Sequence, residues 1–435
     1  MRAVAILAWT LLFVGLAAAN MHASPPNVLM IVSDDQAWTD YGFMGHPRIQ
    51  TPNLDRLARE SAVFPRGYVP MSLCRPSLAT IITGLYPHQH GTAGNDPRTN
   101  RTSGTPRPRN EDYLRLNRAC IARFEALQSL PRLLGEHGYA SLQTGKWWEG
   151  SYAGGGFTQG MTHGDPSRGG RHGDAGLEIG REGVQPILDF IGEHRETPWF
   201  VWYAPMLPHS PHNPPERLLA KYRGDGISEH IAAYHAMCEL FDETCGALLD
   251  ALKAHDLERN TLVVYVADNG WIQNPESPQF AARSKRSPYE GGIRTPIMLR
   301  WPDQIAPARY DDTLVSSIDL FPTIAAATGA TPRAKLPGID LLSVCAADGK
   351  CDRDAVFGEI YEHDMPDIDD PVSGLLFRWI IEGNWKLIAP VTAGVPPELY
   401  DLAADPREEH NLADEHPQVV ARLSSRLDQW WPVSK

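Results

Sequence analysis

The sequence has no apolar run long enough to cross a bilayer: the longest candidate, Val4 to Leu16, stops well short of the ~20 residues a spanning helix needs. That run follows Arg2 and leads into Ala17-Ala18-Ala19, with Met21-His22-Ala23 as a second small-residue boundary. Residues 1–23 therefore read as a cleavable export signal, not a transmembrane anchor, and place the mature protein in the periplasm or outside the cell. No cysteine follows the apolar run, which argues against a lipid-anchored bacterial lipoprotein. Positive charge is also scarce. Lys and Arg number 40 against 53 Asp and Glu, a formal net charge of -13, which argues against a general nucleic-acid binder or a membrane-surface protein. An anionic small substrate stays open, because a local cationic pocket can sit inside an acidic chain. Internal repeats are absent, and cysteines number only six.

The cysteines of an exported chain invite a disulfide reading. Cys345 and Cys351 bracket a short loop and are expected to pair. Cys238 and Cys245 lie two turns apart on a predicted helix, roughly 10 Å along its axis, too far to bridge. Cys120 has no assigned partner. Cys74 must stay out of any bridge if it carries the chemistry argued below.

What is present is a globular composition, 42% hydrophobic and 21% charged over 435 residues, enough for one large and one smaller domain. Apolar strands at 28–33, 139–144, 199–204, 261–268 and 297–300 alternate with helical stretches at 52–60, 77–83, 129–137, 180–192, 228–255 and 317–328. The alternation predicts an α/β domain over 24–335, with a mainly parallel sheet covered by helices. From about 336 the pattern changes to short strands near 356–361, 377–382 and 385–389 and a final helix near 417–431, a smaller α+β subdomain over 336–435. Residues 94–112 and the glycine-rich 150–176 read as irregular excursions, the kind of segment that borders binding sites.

The apolar run Asn27-Val28-Leu29-Met30-Ile31-Val32-Ser33 ends in Asp34-Asp35, as when a buried parallel strand delivers acids to its C-terminal rim. Adjacent carboxylates repel unless a proton or cation neutralises them, so a hard divalent ion is the economical reading. Ala267-Asp268-Asn269-Gly270 repeats the device at a second strand end. Cys74, followed by Pro76 and the helix-like Ser77-Leu78-Ala79-Thr80-Ile81-Ile82, sits where a helix N-terminus would face that ion.

These residues resemble the type I sulfatases of the alkaline phosphatase superfamily, whose signature is Cys-x-Pro-Ser-Arg-x-x-x-x-Thr-Gly. Thr51-Pro52-Asn53-Leu54-Asp55-Arg56, Gly145-Lys146-Trp147, Pro208-His209-Ser210-Pro211, Tyr289-Glu290-Gly291-Gly292-Ile293-Arg294-Thr295-Pro296 and Leu399-Tyr400-Asp401-Leu402 also look like family landmarks, in family order. The resemblance implies an alkaline-phosphatase-like fold and sulfate-ester hydrolysis. It also implies oxidation of Cys74 to formylglycine by a formylglycine-generating or sulfatase-maturating enzyme. One hydroxyl of the hydrated aldehyde would attack sulfur and the other would later expel sulfate. One Ca2+ would be held by Asp34, Asp35, Asp268, Asn269 and the modified Cys74, while Lys146, Lys285 and His209 match sulfate-binding and proton-donating positions. Lys285 falls five residues before Glu290, the spacing the family uses.

Two positions depart from the family pattern. Leu78 stands where the signature has Arg, and Arg75 belongs to another side of the helix. Trp148 stands where Gly-Lys-Trp-His has the histidine thought to act on the covalent sulfate intermediate, so His163 or His172 of the glycine-rich loop is expected to reach the site in its place. Asn95, Arg98, His163, Arg171 and His172 are the expected substrate contacts, for an oligosaccharide or small-molecule sulfate ester. Two rivals stay open: a phosphate or phosphonate ester hydrolase of the same fold, and a binder of sulfated glycans without turnover, suggested by Leu78 and Trp148.

Overall fold

The computed structural model describes residues 25–99, 110–164, 172–224 and 226–433. The expected signal segment 1–23 and Arg171 lie outside the described residues. Among those described, no helix is long and apolar enough to cross a membrane.

Among the described residues the main sheet has eight strands: β1 (Asn27–Ser33), β2 (Ala62–Phe64), β3 (Ala140–Gly145), β4 (Gln159–Gly160), β5 (Trp199–Ala204), β6 (Thr261–Ala267), β7 (Ile297–Arg300) and β8 (Ala308–Arg309). Their spatial order is β8-β2-β7-β6-β1-β5-β3-β4. All neighbours run parallel except β7, which is antiparallel to both β2 and β6. Central strands read as unbroken apolar runs because both faces are covered. Val28, Met30 and Val32 pack to one side with Ile81, Ile82, Phe321 and Ile324, whereas Leu29 and Ile31 pack to the other with Leu54, Leu57, Phe241 and Leu248. The covering helices on those faces include α1 (Pro52–Arg59), α2 (Cys74–Thr83), α3 (Glu111–Glu125), α4 (Gln185–Glu193), α5 (Glu229–Ala254) and α6 (Leu320–Thr328).

A second sheet, antiparallel throughout, runs β9 (Ala355–Tyr361), β10 (Leu375–Glu382), β11 (Trp385–Pro390) and β12 (Glu398–Asp401) in sequence order. Helix α7 (Pro417–Trp430) covers one face through Leu423 and Leu427, and the other face meets Tyr68, Val69, Ile293 and Leu314 from the larger part. A short parallel pairing of Asp96 and Pro97 with Asp364 and Met365 draws the segment after β9 towards the rim of the main sheet.

Two expectations need correction. Cys345 and Cys351 are free thiols here. Cys345 closes a short helix, and the Cys351 thiol instead donates to the Arg353 carbonyl oxygen at 3.8 Å. The irregular stretch expected over 94–112 also ends sooner, because α3 begins at Glu111, capped by Asn110, and buries Tyr113, Cys120 and Phe124 along one stripe.

Candidate active site

The site sits at the C-terminal rim of β1 and β6. The Asp34 N–H donates to the Leu207 carbonyl (2.9 Å) and the Asp268 N–H to that of Ser33 (2.8 Å), which fixes both strand ends. Asp35 has φ 63°, a left-handed conformation that costs a non-glycine residue about 1–2 kcal/mol and turns its carboxylate back over the rim. Its N–H donates to Asp268 Oδ1 at 3.1 Å, and Asn269 Nδ2 donates to Asp35 Oδ1 at 2.6 Å. Helix α2 begins at Cys74 itself, after extended Leu73 and without a side-chain cap, so the positive end of its dipole faces these carboxylates.

Two lysines close the cluster. Gly145, with φ 79°, ends β3, and a Cβ there would stand 1.8 Å from the Ala204 carbonyl oxygen, so only glycine lets the chain turn and aim Lys146 inward. Lys146 Nζ lies 2.6 Å from Asp34 Oδ2 and 3.4 Å from Cys74 Sγ. Lys285 Nζ lies 2.5 Å from Asp35 Oδ1 and 3.1 Å from the same sulfur. All of these residues are buried. His209 Nδ1 is 2.6 Å from the Ser210 carbonyl, which can only accept, so Nδ1 carries the hydrogen and Nε2, 3.4 Å from Asp35 Oδ2, is left to exchange a proton. The Arg181 guanidinium donates to the carbonyls of Met206 (2.9 Å) and His209 (2.8 Å) and holds that loop in place.

The protonation equilibria follow from this crowding. Burial opposes ionisation of Asp35, but Lys285, His209 and Lys146 outweigh it and hold the carboxyl at about 2. Asp268 goes the other way: burial, reinforced by repulsion from Asp34, pushes it well above the usual carboxylate range. Burial likewise pushes the Cys74 thiol up to about 12, with Lys146 and Lys285 offsetting only part of it. Burial lowers His209, and Lys146 adds to the effect.

The donor set fits a hard divalent cation. Asp34 Oδ2, Asp35 Oδ2, Asp268 Oδ2 and Asn269 Oδ1 are buried and none accepts a hydrogen bond; the Lys146 contact to Asp34 Oδ2 is a close ion pair outside hydrogen-bond alignment. Orphaned buried oxygens at this density are costly unless a cation takes them up. Ligand atoms of Asp34, Asp35, Cys74 and His209 also converge within 4.8 Å. The oxygen set accounts for the orphans more completely, because it includes Asp268 and Asn269.

Above Cys74 opens a cavity of about 300 Å³. Asn95, Lys146, Trp148, His172, His209 and Lys285 line it, as do Trp271, Gln279, Phe280, Arg286 and His363. Of the expected substrate contacts, Asn95 and His172 are thus brought to the site. His163 is not: it is exposed, set edge-on to Tyr152, with its N–H donating to Asp174. Arg98 is exposed and paired with Glu362. His363 and Phe280 had no signal in the sequence, since the first arrives through the Asp96–Asp364 pairing and the second on an irregular loop. Trp271 was findable, two residues beyond Asn269. Arg75 points away from the cluster, in a fork with Glu149 (2.7 and 2.8 Å).

Buried cations, orphaned acid oxygens and a helix N-terminus around one sulfur define a site for a tetrahedral oxyanion ester. The comparisons with known proteins give the same class. The family model described as Sulfatase matches residues 26–330, and one described as N-sulphoglucosamine sulphohydrolase, C-terminal, matches 280–431. The chain is 29% identical to arylsulfatase A of Bos taurus over 97% of its own length and 90% of the relative. It is 30% identical to N-acetylgalactosamine-6-sulfatase of Homo sapiens over 74% of its length and 66% of the relative. A solved complex with D-glucosamine-2-N,6-O-disulfate superposes with a TM-score of 0.73 at 20% identity, covering 93% of this chain and 97% of that one. The chain belongs to the sulfatase family and has its alkaline-phosphatase-like fold. It is a sulfuric ester hydrolase.

Proposed function

We propose that this protein is an exported sulfatase that removes sulfate from a sulfated carbohydrate, with Cys74 matured to formylglycine and one Ca2+ held by Asp34, Asp35, Asp268, Asn269 and the matured Cys74. The observation that carries the reading is the convergence of Lys146 and Lys285 on the Cys74 sulfur, at the strand rim that also holds four orphaned acid and amide oxygens. Formylglycine would supply the attacking hydroxyl, and the ion would neutralise charge on it and on the sulfate.

The chain's own residues do the rest. Lys146 and Lys285 offer cationic donors to the nonbridging sulfate oxygens, within reach of the Cys74 side chain. His209 Nε2, the ring nitrogen left free by the Nδ1–H bond to Ser210, passes a proton to the leaving alcohol oxygen from the imidazolium form. Trp271 and Phe280 exclude water from one wall of the cavity, while Asn95 and His172 meet the sugar. The N-acetylgalactosamine-6-sulfatase relative and the solved disulfated-glucosamine complex favour a sugar sulfate, whereas the arylsulfatase A relative keeps an aryl sulfate as the second reading. Maturation by a formylglycine-generating or sulfatase-maturating enzyme, export to the periplasm or medium through residues 1–23, and division into a catalytic domain (24–335) and a C-terminal subdomain (336–435) complete the proposal.

The test has two readouts. Turnover of an aryl sulfate should exceed that of an aryl phosphate diester, and peptide mass spectrometry of protein from the native host should find formylglycine at Cys74. Higher phosphodiester turnover would favour the phosphate or phosphonate reading. An entirely unmodified thiol in active native enzyme would end the formylglycine claim.

A further inference from the structure

Three Lys or Arg side chains are among the described residues that line the cavity above Cys74: Lys146, Lys285 and Arg286. Two are committed to acids inside the protein, Lys146 to Asp34 at 2.6 Å and Lys285 to Asp35 at 2.5 Å. Arg286 is different. Among the described residues its guanidinium has neither an acid in ion-pair range nor a side-chain hydrogen bond, and it stands exposed at the cavity mouth. Among the described residues that line the cavity, no Asp or Glu is present to neutralise it.

The backbone shows that this placement is imposed. Arg286 has φ 65°, a left-handed conformation disfavoured for a side chain of its size. Its N–H donates to the Ser72 carbonyl (2.8 Å), and Ser72 Oγ donates to the Ser287 carbonyl (2.7 Å), so the loop is tied on both sides of Arg286 to the residue two before Cys74. Arg283, three residues earlier, shares the left-handed backbone (φ 58°), but its guanidinium lies 4.5 Å from the Tyr289 ring centroid and bonds the Glu408 carbonyl. One arginine of the loop is spent on the scaffold and the other is left facing the cavity. In a chain of net charge -13 that arginine is no part of a general basic surface.

We propose that Arg286 forms a second anion subsite, so that the substrate is a sulfated sugar with another negative group beside the scissile sulfate. This rests on the sulfatase reading above and deepens it. A guanidinium recognises carboxylate and sulfate alike through paired N–H donors. The cavity, about 300 Å³, is at the lower end of small-molecule sites, so the second group lies on the same sugar unit or on the one directly linked to it.

The experiment uses matured, metal-loaded enzyme and three matched saccharides: one with a single sulfate, one with a second sulfate, and one with a uronate carboxylate as the second anion. Wild-type kcat/KM should favour at least one doubly anionic substrate, and which of the two is favoured identifies the source of the charge. In Arg286→Ala that preference should fall by about tenfold, mainly through KM, the size of one hydrogen-bonded charge contact. Arg286→Lys should keep part of it, and added salt should erode the wild-type preference. Turnover of none of the three would overturn this inference, and if an aryl sulfate were also left intact the sulfatase reading would fall with it. Equal wild-type efficiency on all three, or an equal loss on all three in Arg286→Ala, would leave the sulfatase reading standing and overturn the role of Arg286.

Discussion

Replacing Glu149 with Ala should cost more stability than any surface change in this protein. Arg75 and Glu149 form a two-point ion pair whose side chains are only 1% and 4% exposed. With the carboxylate gone, the guanidinium stays buried with only the Asn95 carbonyl at 3.2 Å and Asn117 Oδ1 at 3.4 Å as partners. Breaking one side of such a pair costs about 3–5 kcal/mol, because the surviving charge is left without compensation. That is a large share of the ~5–15 kcal/mol that holds a native domain together. With a urea slope of about 3 kcal/mol per molar, a loss of ~4 kcal/mol moves the unfolding midpoint by roughly 1.3 M. The double variant Arg75→Met/Glu149→Leu removes both charges and should recover most of that loss. It should not recover full turnover, because the Arg75 Nη1 bond to the Asn95 carbonyl at 3.2 Å is lost, which leaves only the backbone Arg75 N–H bond to Asn95 Oδ1 at 3.0 Å to hold Asn95 at the cavity. A Glu149→Ala midpoint within experimental error of wild type would refute the reasoning. So would a double variant as unstable as the single one.

Asp268→Ala should abolish bound calcium, measured by elemental analysis, and nearly all turnover while the circular dichroism spectrum stays native, since the remaining acids are left mutually repulsive around a lost ligand; normal metal content would sink the assignment. His172→Ala should lower steady-state turnover while leaving a rapid first burst of alcohol, whereas His163→Ala should behave as wild type, because only His172 lines the cavity, 5.2 Å from the Trp148 ring. A His172→Ala variant with both phases unchanged would show that another base or water acts in the second step.

The parts of the fold that could be read from sequence are those where burial writes a simple pattern. Val28 to Val32 is apolar on both faces because helices cover both faces, and an acid directly after such a strand has nowhere to go but the rim. Asp34, Asp35, Asp268 and Asn269 could be placed at the rim for that reason, whereas Lys146 and His209 were expected there through their match to family landmarks. What escaped was set by pairing over long separations. The antiparallel course of β7 depends on β2, more than 200 residues away in the chain, and no local period encodes direction. His363 reaches the cavity only because Asp364 pairs with Asp96. The choice between His163 and His172 depended on how one glycine-rich loop folds, and neither residue differs from the other in any local signal.

The two departures from the family pattern, 70 residues apart in the chain, prove to be one change in space. Leu78 and Trp148 line the same small cavity together with Arg75, Ala79, Ile82, Phe124, Trp147 and Glu149. An arginine at 78 would enter an apolar wall and stand close to the buried Arg75, a like charge that Glu149 alone would have to balance. A histidine at 148 would leave part of that wall unfilled and remove the ring that lies 5.4 Å from Lys146 Nζ. Each departure therefore makes the other easier to accommodate, and the buried fork of Arg75 and Glu149 fills the polar requirement of the corner. The consequence for chemistry is that, among the described residues, the cationic donors on Cys74 come down to two, Lys146 and Lys285. With no third cation from the helix to share the work, the register of Lys285 within its tied loop becomes as decisive for the site as the acids themselves.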